Sequence, residues 1–401
     1  MDPLRKNLNQ LKPHVEKGGK YHRWYFVYEM TETFLYAPNA TAQNKGAHVR
    51  DANNLKRMMI TVVVALIPCL LFGIYNVGHT HFLATGELMS ATHWDKILTG
   101  AKVVLPIVLV AYSAGGLVEV TFATIRRHPV NEGFLVTGML IPLIMPPTIP
   151  LWQVALATIF AVVIAKEVFG GTGMNVLNVA MTARAFLYFA YPADMSGDVW
   201  YYLGEESYAS GFSGATPLGL AAEAVAVKGV QPVAATLSGF QDGLYDFWNL
   251  VVGLIPGSIG STSLLMVLAG AVILIASGVG SWKIILSGFL GVLATGWIFN
   301  IAGANEYMNM PAYYHLAIGG VAFGIVFMAT DPVSATHTEQ GKWLYGALIG
   351  IITVIIRVLN PAYPEGIMLA ILFMNVFAPL IDHYVVARNK QRRQLRLKKT
   401  S

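Results

Sequence analysis

The chain has 401 residues, of which 55% are hydrophobic and 12% charged, and it carries a net charge of +5. Soluble domains carry about 25% charged residues. With half that share the chain could not keep a soluble surface wet, so a soluble multidomain enzyme is excluded and an all-α polytopic membrane protein remains. The single cysteine, Cys69, excludes a disulfide scaffold, a thiolate zinc site and an iron–sulfur cluster held by this chain alone. The basic residues gather at the two ends, where they report orientation in a bilayer and not nucleic-acid binding.

An apolar helix needs about 20 residues to cross the hydrocarbon. Residues 58–77 form such a run, and 103–125 a second with Glu119 as its one acid. Residues 133–165 are uncharged but interrupted by Pro146, Pro147 and Pro150, which predicts two helices joined by a proline corner. A fifth, broken span follows Gly170-Gly171-Thr172-Gly173, contains Arg184 and ends near Pro192. Runs at 262–278, 284–301, 313–330, 343–356 and 366–381 complete about ten transmembrane helices.

Residues 1–57 hold ten Lys/Arg against five Asp/Glu, and the last 19 residues hold seven Lys/Arg and no acid. Both termini therefore read as cytoplasmic, which requires an even number of spans. The segment 194–246 then lies outside, and its seven acids against Lys228 alone agree with that side. The expected organisation is a cytoplasmic N-terminal segment (1–57), a first bundle half (58–193), an outer loop (194–260), a second bundle half (261–382) and a basic cytoplasmic tail (383–401). No cleavable signal peptide is expected, because the charged stretch before the first apolar run is too long. The aromatic residues of the segment Tyr21 to Tyr36, among them Trp24, Tyr25, Phe26, Tyr28, Phe34 and Tyr36, predict a helix lying at the cytoplasmic interface.

The halves echo each other. Asn131-Glu132-Gly133 opens the third span and Pro364-Glu365-Gly366 the tenth, and each half has a broken helix, near Gly170–Gly173 and near Asp331-Pro332. Inverted repeats with broken helices are built to hold a ligand near the midplane.

In the outer loop, Ser210-Gly211-Phe212-Ser213-Gly214-Ala215-Thr216-Pro217 sets one threonine among small residues, and its composition predicts an accessible loop. The Ser-Gly-Ala-Thr string resembles the flavinylation motif of membrane redox subunits, in which a separate transferase joins FMN phosphate to the threonine hydroxyl. Four further strings, His48-Val49-Arg50-Asp51, Lys166 to Gly173, Ala329-Thr330-Asp331-Pro332-Val333-Ser334 and Asn360 to Gly366, resemble the B subunits of sodium-translocating NADH:quinone oxidoreductases (Na+-NQR). The related D subunits of Rnf complexes share the membrane core but normally lack so long an N-terminal extension.

This resemblance implies a bacterial inner-membrane subunit passing electrons from FMN esterified to Thr216, through non-covalent riboflavin, to ubiquinone, coupled to sodium or proton translocation. It also implies a complex of about six subunits, including flavin- and iron–sulfur-carrying partners, and a flavin transferase. Ser210 departs from the motif, which commonly has Asp there. Against the redox reading stands a solute channel or transporter, which broken helices and a repeat fit equally well. Gly170–Gly173 lacks the Lys-Ser/Thr ending of a P-loop, and no dinucleotide fingerprint is present, so NADH must be oxidised on another subunit.

Glu119 shares a helical face with Gly115 and Gly116, at i−4 and i−3. A carboxylate in hydrocarbon costs about 2.5–3.5 kcal/mol on insertion scales and needs a partner or a task. Either Glu119 bonds a neighbouring helix, or, as the resemblance implies, it takes up cations while the glycine pair adjoins the quinone. Asp331 either caps a following helix or lies on the cation path. Asp382 is either an interfacial carboxylate near the basic tail or a third acid of that path. Glu29 either samples cations or lies on a solvated face. Asn175 and Asn178 either satisfy broken backbone or, by resemblance, bond riboflavin. His315 reads as a helix-contact donor.

Overall fold

The computed structural model describes residues 10–15, 28, 55–126, 133–197, 199–204, 206–210, 212–226, 233–360 and 363–400. The expectations for the aromatic segment 21–36 other than Tyr28, for Glu29 and for Asn131-Glu132 lie outside these residues. All regular structure among the described residues is helical. Five helices are long and apolar enough to cross a bilayer unaided: α1 (Leu55–Thr85), α2 (His93–Arg126), α10 (Trp282–Ala302), α13 (Glu339–Leu359) and α14 (Ile367–Thr400).

The other predicted spans are short or broken. They are α3 (Gly133–Leu143), α4 (Leu151–Ala161), α5 (Val179–Ala190) and α9 (Leu264–Ala276), together with α11 (Tyr314–Ala317) and α12 (Val321–Phe323). Helix α4 continues as a π-helix over Val162–Glu167, and α12 as another over Gly324–Met328. The 11 residues of α3 rise only about 16 Å, roughly half of the hydrocarbon thickness. The third span, expected as a full helix, is thus a half-helix, and the eighth is broken at Gly319 and Gly320, earlier than the expected break near Asp331-Pro332. Short helices α6 (Pro217–Ala226), α7 (Val233–Gly239) and α8 (Phe247–Val252) lie between α5 and α9.

Local sequence explains the breaks. Pro146, Pro147 and Pro150 separate α3 from α4, since proline lacks the N–H that an uninterrupted helix needs. Gly319 and Gly320 both sit at φ +66°, a left-handed conformation that turns the chain between α11 and α12. The chain order places the α3–α4 corner and residues 191–262 towards one side, and the segments 168–178 and 329–338 towards the other. Interhelical packing relies on close approach. A Cβ at Gly291 would lie 2.4 Å from the Ala347 carbonyl oxygen, and one at Gly350 2.3 Å from that of Gly288, so α10 and α13 touch backbone to backbone.

The core is largely apolar, from Leu66 and Val104 to Ile325 and Ile371, with a few buried charges set into it. Exposed Leu71, Leu109, Val272, Ile298 and Phe373 form the outer surface of the bundle, as expected where lipid and not water is the solvent. Exposed Trp94, Trp152 and Trp248 lie on the side of the outer loop, and Trp282 and Trp343 on the opposite side, in the manner of interfacial belts.

Candidate functional site

The sequence-nominated residues separate into two groups, called outer and inner after the sides expected from the charge bias. At the outer face Thr216 is half-buried and serves as the N-cap of α6, its Oγ1 accepting the Gly219 N–H at 3.1 Å. The preceding loop is anchored, not free. The Phe212 ring stacks on Tyr208 at 5.7 Å and meets the edge of Tyr201 at 5.3 Å. The Tyr245 hydroxyl donates to the Ala215 carbonyl at 2.5 Å. Burial pushes the Tyr245 phenol far above its ordinary range, so this donor stays protonated. Composition alone predicts a flexible loop; aromatic anchors from elsewhere in the outer segment instead hold the threonine in place. Ser210 itself is exposed.

Thr216 opens onto a cavity of about 300 Å³ whose lining includes Tyr188, Trp200, Ser258, Gly320 and Glu365. Glu365, from this lining, pairs with Arg184 at 2.5 Å. Arg184 also donates to the Ile144 carbonyl and to Ser258 Oγ, and its guanidinium lies 5.9 Å from the Trp200 ring centre. Beside it, fully buried Arg357 donates to four backbone carbonyls: His315 at 3.0 Å, Ile318 at 3.1 Å, and Pro364 and Glu365 at 3.2 Å. The two arginines tie both broken helices to the loop before α14.

At the inner face Glu119 is 5% exposed and forms an ion pair with Lys166. The next residue, Glu167, pairs with Arg126 at 2.8 Å, and Arg126 donates to the Glu167 carbonyl as well. A π-helix delivers both Lys166 and Glu167. Phe134 lies across Gly115, where a Cβ would come within 2.1 Å of the ring, while Gly116 has open space before it. The glycine pair is therefore divided: Gly115 receives the ring of a neighbouring helix, and Gly116 faces outward.

Lys166, Asn175, Asn178 and Asp331 line one cavity of about 90 Å³. Asn178 caps α5, accepting the Met181 N–H at 3.1 Å, and Asn175 donates to the Leu177 carbonyl. Asp331 accepts from the Val333 N–H at 3.1 Å and the Ser334 hydroxyl at 2.8 Å. It also lines a wider vestibule of about 360 Å³ with Thr336, His337 and Lys283. Asp382 accepts from the His337 and Thr338 N–H groups at 2.8 and 3.0 Å and from the Thr338 hydroxyl at 2.6 Å. These bonds brace the start of α13 from α14.

Sequence reasoning missed the roles of Lys166, Glu167, Arg357 and Glu365, and read Arg184 only as a charge within the fifth span. The available signal was the rarity of charge inside apolar runs, where an ionisable residue carries a function or a partner. Among the described residues no group of three His, Cys, Asp or Glu side chains is placed to hold a metal.

Long and broken apolar helices with an apolar outer surface define a polytopic helical membrane protein. The NQR2, RnfD, RnfE family model matches residues 42–391, and the chain belongs to that family. Relatives named as the B subunit of Na(+)-translocating NADH-quinone reductase share 47% identity in Chromohalobacter salexigens, over 98% of this chain and 96% of the relative. Those of Stutzerimonas stutzeri and Yersinia pestis share 47% and 46%, over 98% of this chain and 99% of each relative.

Proposed function

We propose that this chain is the membrane electron-transfer component, the B subunit, of a sodium-translocating NADH:ubiquinone oxidoreductase of the bacterial inner membrane, working with the complex's other subunits. The full-length similarity to subunits so named supports the complex. The observation that carries the electron-transfer role is Thr216, half-buried in the lining of the 300 Å³ cavity, on the side that the charge bias leads us to expect outside. Room beside the hydroxyl and an anchored backbone fit an esterified FMN. Once attached, FMN supplies one- and two-electron chemistry. Tyr245 and the α6 cap fix the hydroxyl for the flavin transferase, and the Arg184–Glu365 pair sets the local field.

Riboflavin is proposed at the Asn175–Asn178 cavity on the resemblance alone. That cavity is small, about 90 Å³, and the asparagines are engaged with backbone. The residues as they stand do not fit a tricyclic ring, and no electron step is derived through it. Ubiquinone is proposed on the open side of Gly116, and Glu119, Asp331 and Asp382 as acids of the path for sodium or protons. A charge moving in low dielectric needs a compensating ion, which is the physical basis of the coupling.

The denatured subunit, taken from cells that attach flavins, is expected to fluoresce in gel under ultraviolet light, and Thr216→Ala to abolish the signal. A dark wild-type band sinks the assignment, and a solute transporter would give one. NADH-driven ubiquinone reduction by the purified complex distinguishes it from an Rnf-type assembly. Glu119→Gln is expected to lower sodium-stimulated quinone reduction on the order of tenfold with flavin content kept, because the buried ion pair and the carboxylate are lost together. Unaltered turnover and sodium dependence would remove Glu119 from the mechanism.

A further inference from the structure

Glu119 is nominated as a cation-binding carboxylate, yet a cation already stands on it. The ammonium of Lys166 pairs with Glu119, and both side chains are about 5% exposed or less. Immediately behind, Glu167 is matched by Arg126. Both carboxylates thus already hold a basic partner, and an entering sodium ion would lose its hydration for little return unless a base yields its place.

One of the two bases must therefore give way, and the geometry distinguishes them. Arg126 holds Glu167 through its carboxylate and its backbone carbonyl, a two-point grip that a planar guanidinium keeps. Lys166 holds Glu119 through a single compact ammonium on a flexible four-carbon stem. Lys166 also lines the 90 Å³ cavity. Its ammonium lies 6.0 Å from the centre of the Phe134 ring, whose face stabilises a cation outside the ion pair. The cavity wall further offers Asp331 and the buried Thr172 Oγ1, which has no hydrogen-bond partner among the described residues. The cavity thus adjoins the pair and carries acceptors for a displaced ammonium.

We propose that Lys166 is the resident counter-cation of Glu119, and that sodium reaches this carboxylate only by displacing the ammonium into the adjoining cavity. This rests on the sodium-translocating reading above. The lysine then sets the concentration at which sodium engages: it keeps the carboxylate neutralised when no ion is present and returns when the ion leaves. Lys166 is a positioning residue here, acting through Glu119.

The test uses the complete complex at pH 8, with NADH-driven quinone reduction titrated against sodium chloride. Lys166→Met removes the competitor and is expected to lower the half-saturating sodium concentration by about tenfold, since a buried carboxylate that has lost its ammonium draws the next available cation. Lys166→Arg substitutes a two-point grip and is expected to raise it several-fold. A half-saturating concentration within about twofold of wild type in Lys166→Met, with in-gel flavin fluorescence retained, overturns the proposal. If Lys166→Met does not assemble, Lys166→Arg decides: assembly with an unchanged half-saturating concentration overturns it equally. A wild-type complex indifferent to sodium overturns the sodium-translocating reading itself, which separates that failure from this one.

Discussion

Arg357→Met is expected to lower the midpoint of thermal unfolding of the detergent-solubilised subunit by roughly 10 °C or more. The guanidinium is fully buried and donates to the carbonyls of His315, Ile318, Pro364 and Glu365. Methionine fills a similar volume but takes the guanidinium from the His315, Ile318 and Pro364 carbonyls, while that of Glu365 keeps the Ile367 N–H at 2.8 Å; each buried group left unsatisfied costs about 1–3 kcal/mol. Even with strong non-additivity the loss is several kcal/mol, against a total stability of about 5–15 kcal/mol. At about 2–4 °C per kcal/mol for a domain of this kind of size, a shift near 10 °C follows. Arg357→Lys should recover part of it, because one ammonium reaches some but not all of these oxygens. Size-exclusion of heated samples checks this, and a midpoint within about 2 °C of wild type would show that the backbone break at Gly319 and Gly320 is held by other contacts.

The second large effect is expected at Glu365. Its removal by Glu365→Ala leaves Arg184, which is 5% exposed, without its carboxylate. Breaking a buried ion pair from one side costs about 3–5 kcal/mol. Glu365 has partial access to the outer cavity, with its side chain 23% exposed, so about 2–3 kcal/mol is the fitting figure after screening. The double variant Arg184→Met with Glu365→Leu should regain more than half of that loss, because it leaves no unpaired charge behind. A double variant no more stable than Glu365→Ala would mean that Arg184 acts mainly through the Ile144 carbonyl and Ser258, holding the α3–α4 corner. The same samples should show altered in-gel flavin yield if the cavity shape beside Thr216 matters for attachment.

Much of the fold was legible in one dimension. Apolar runs and their length mark where the chain can lie in lipid, and the Lys/Arg excess at both ends sets the side. Pro146-Pro147-Pro150 and the glycine-rich string at 170–173 announced their breaks, because neither residue type sustains a helix. What hydropathy could not show is depth. The runs at 133–165 and 313–330 read as full spans, but α3 is half-length, and α11 and α12 are pieces joined through two left-handed glycines.

The site was legible only by position. Thr216 stood out from its neighbours, but composition suggested a loose loop where Phe212, Tyr208, Tyr201 and Tyr245 instead make an anchored one. Asp331 reads in three dimensions as the head of a tight turn, Asn178 as a helix cap and Asp382 as a brace on α13, each a local bond that the neighbouring backbone demands. Gly115 and Gly116, adjacent in sequence, face different surroundings.

Alone, the amino-acid order determined a helical membrane protein and its family, and singled out Thr216. Hydrophobic length, charge bias and short motifs are local quantities, additive along the chain. The tertiary structure decided which charge meets which: Lys166 with Glu119, Arg126 with Glu167, Arg184 with Glu365, and Arg357 with two loops. Partners 41, 47 and 181 residues apart carry no mutual signal in the sequence. Their pairing follows from helix packing, which brings buried charges together because hydrocarbon offers them no other solvent.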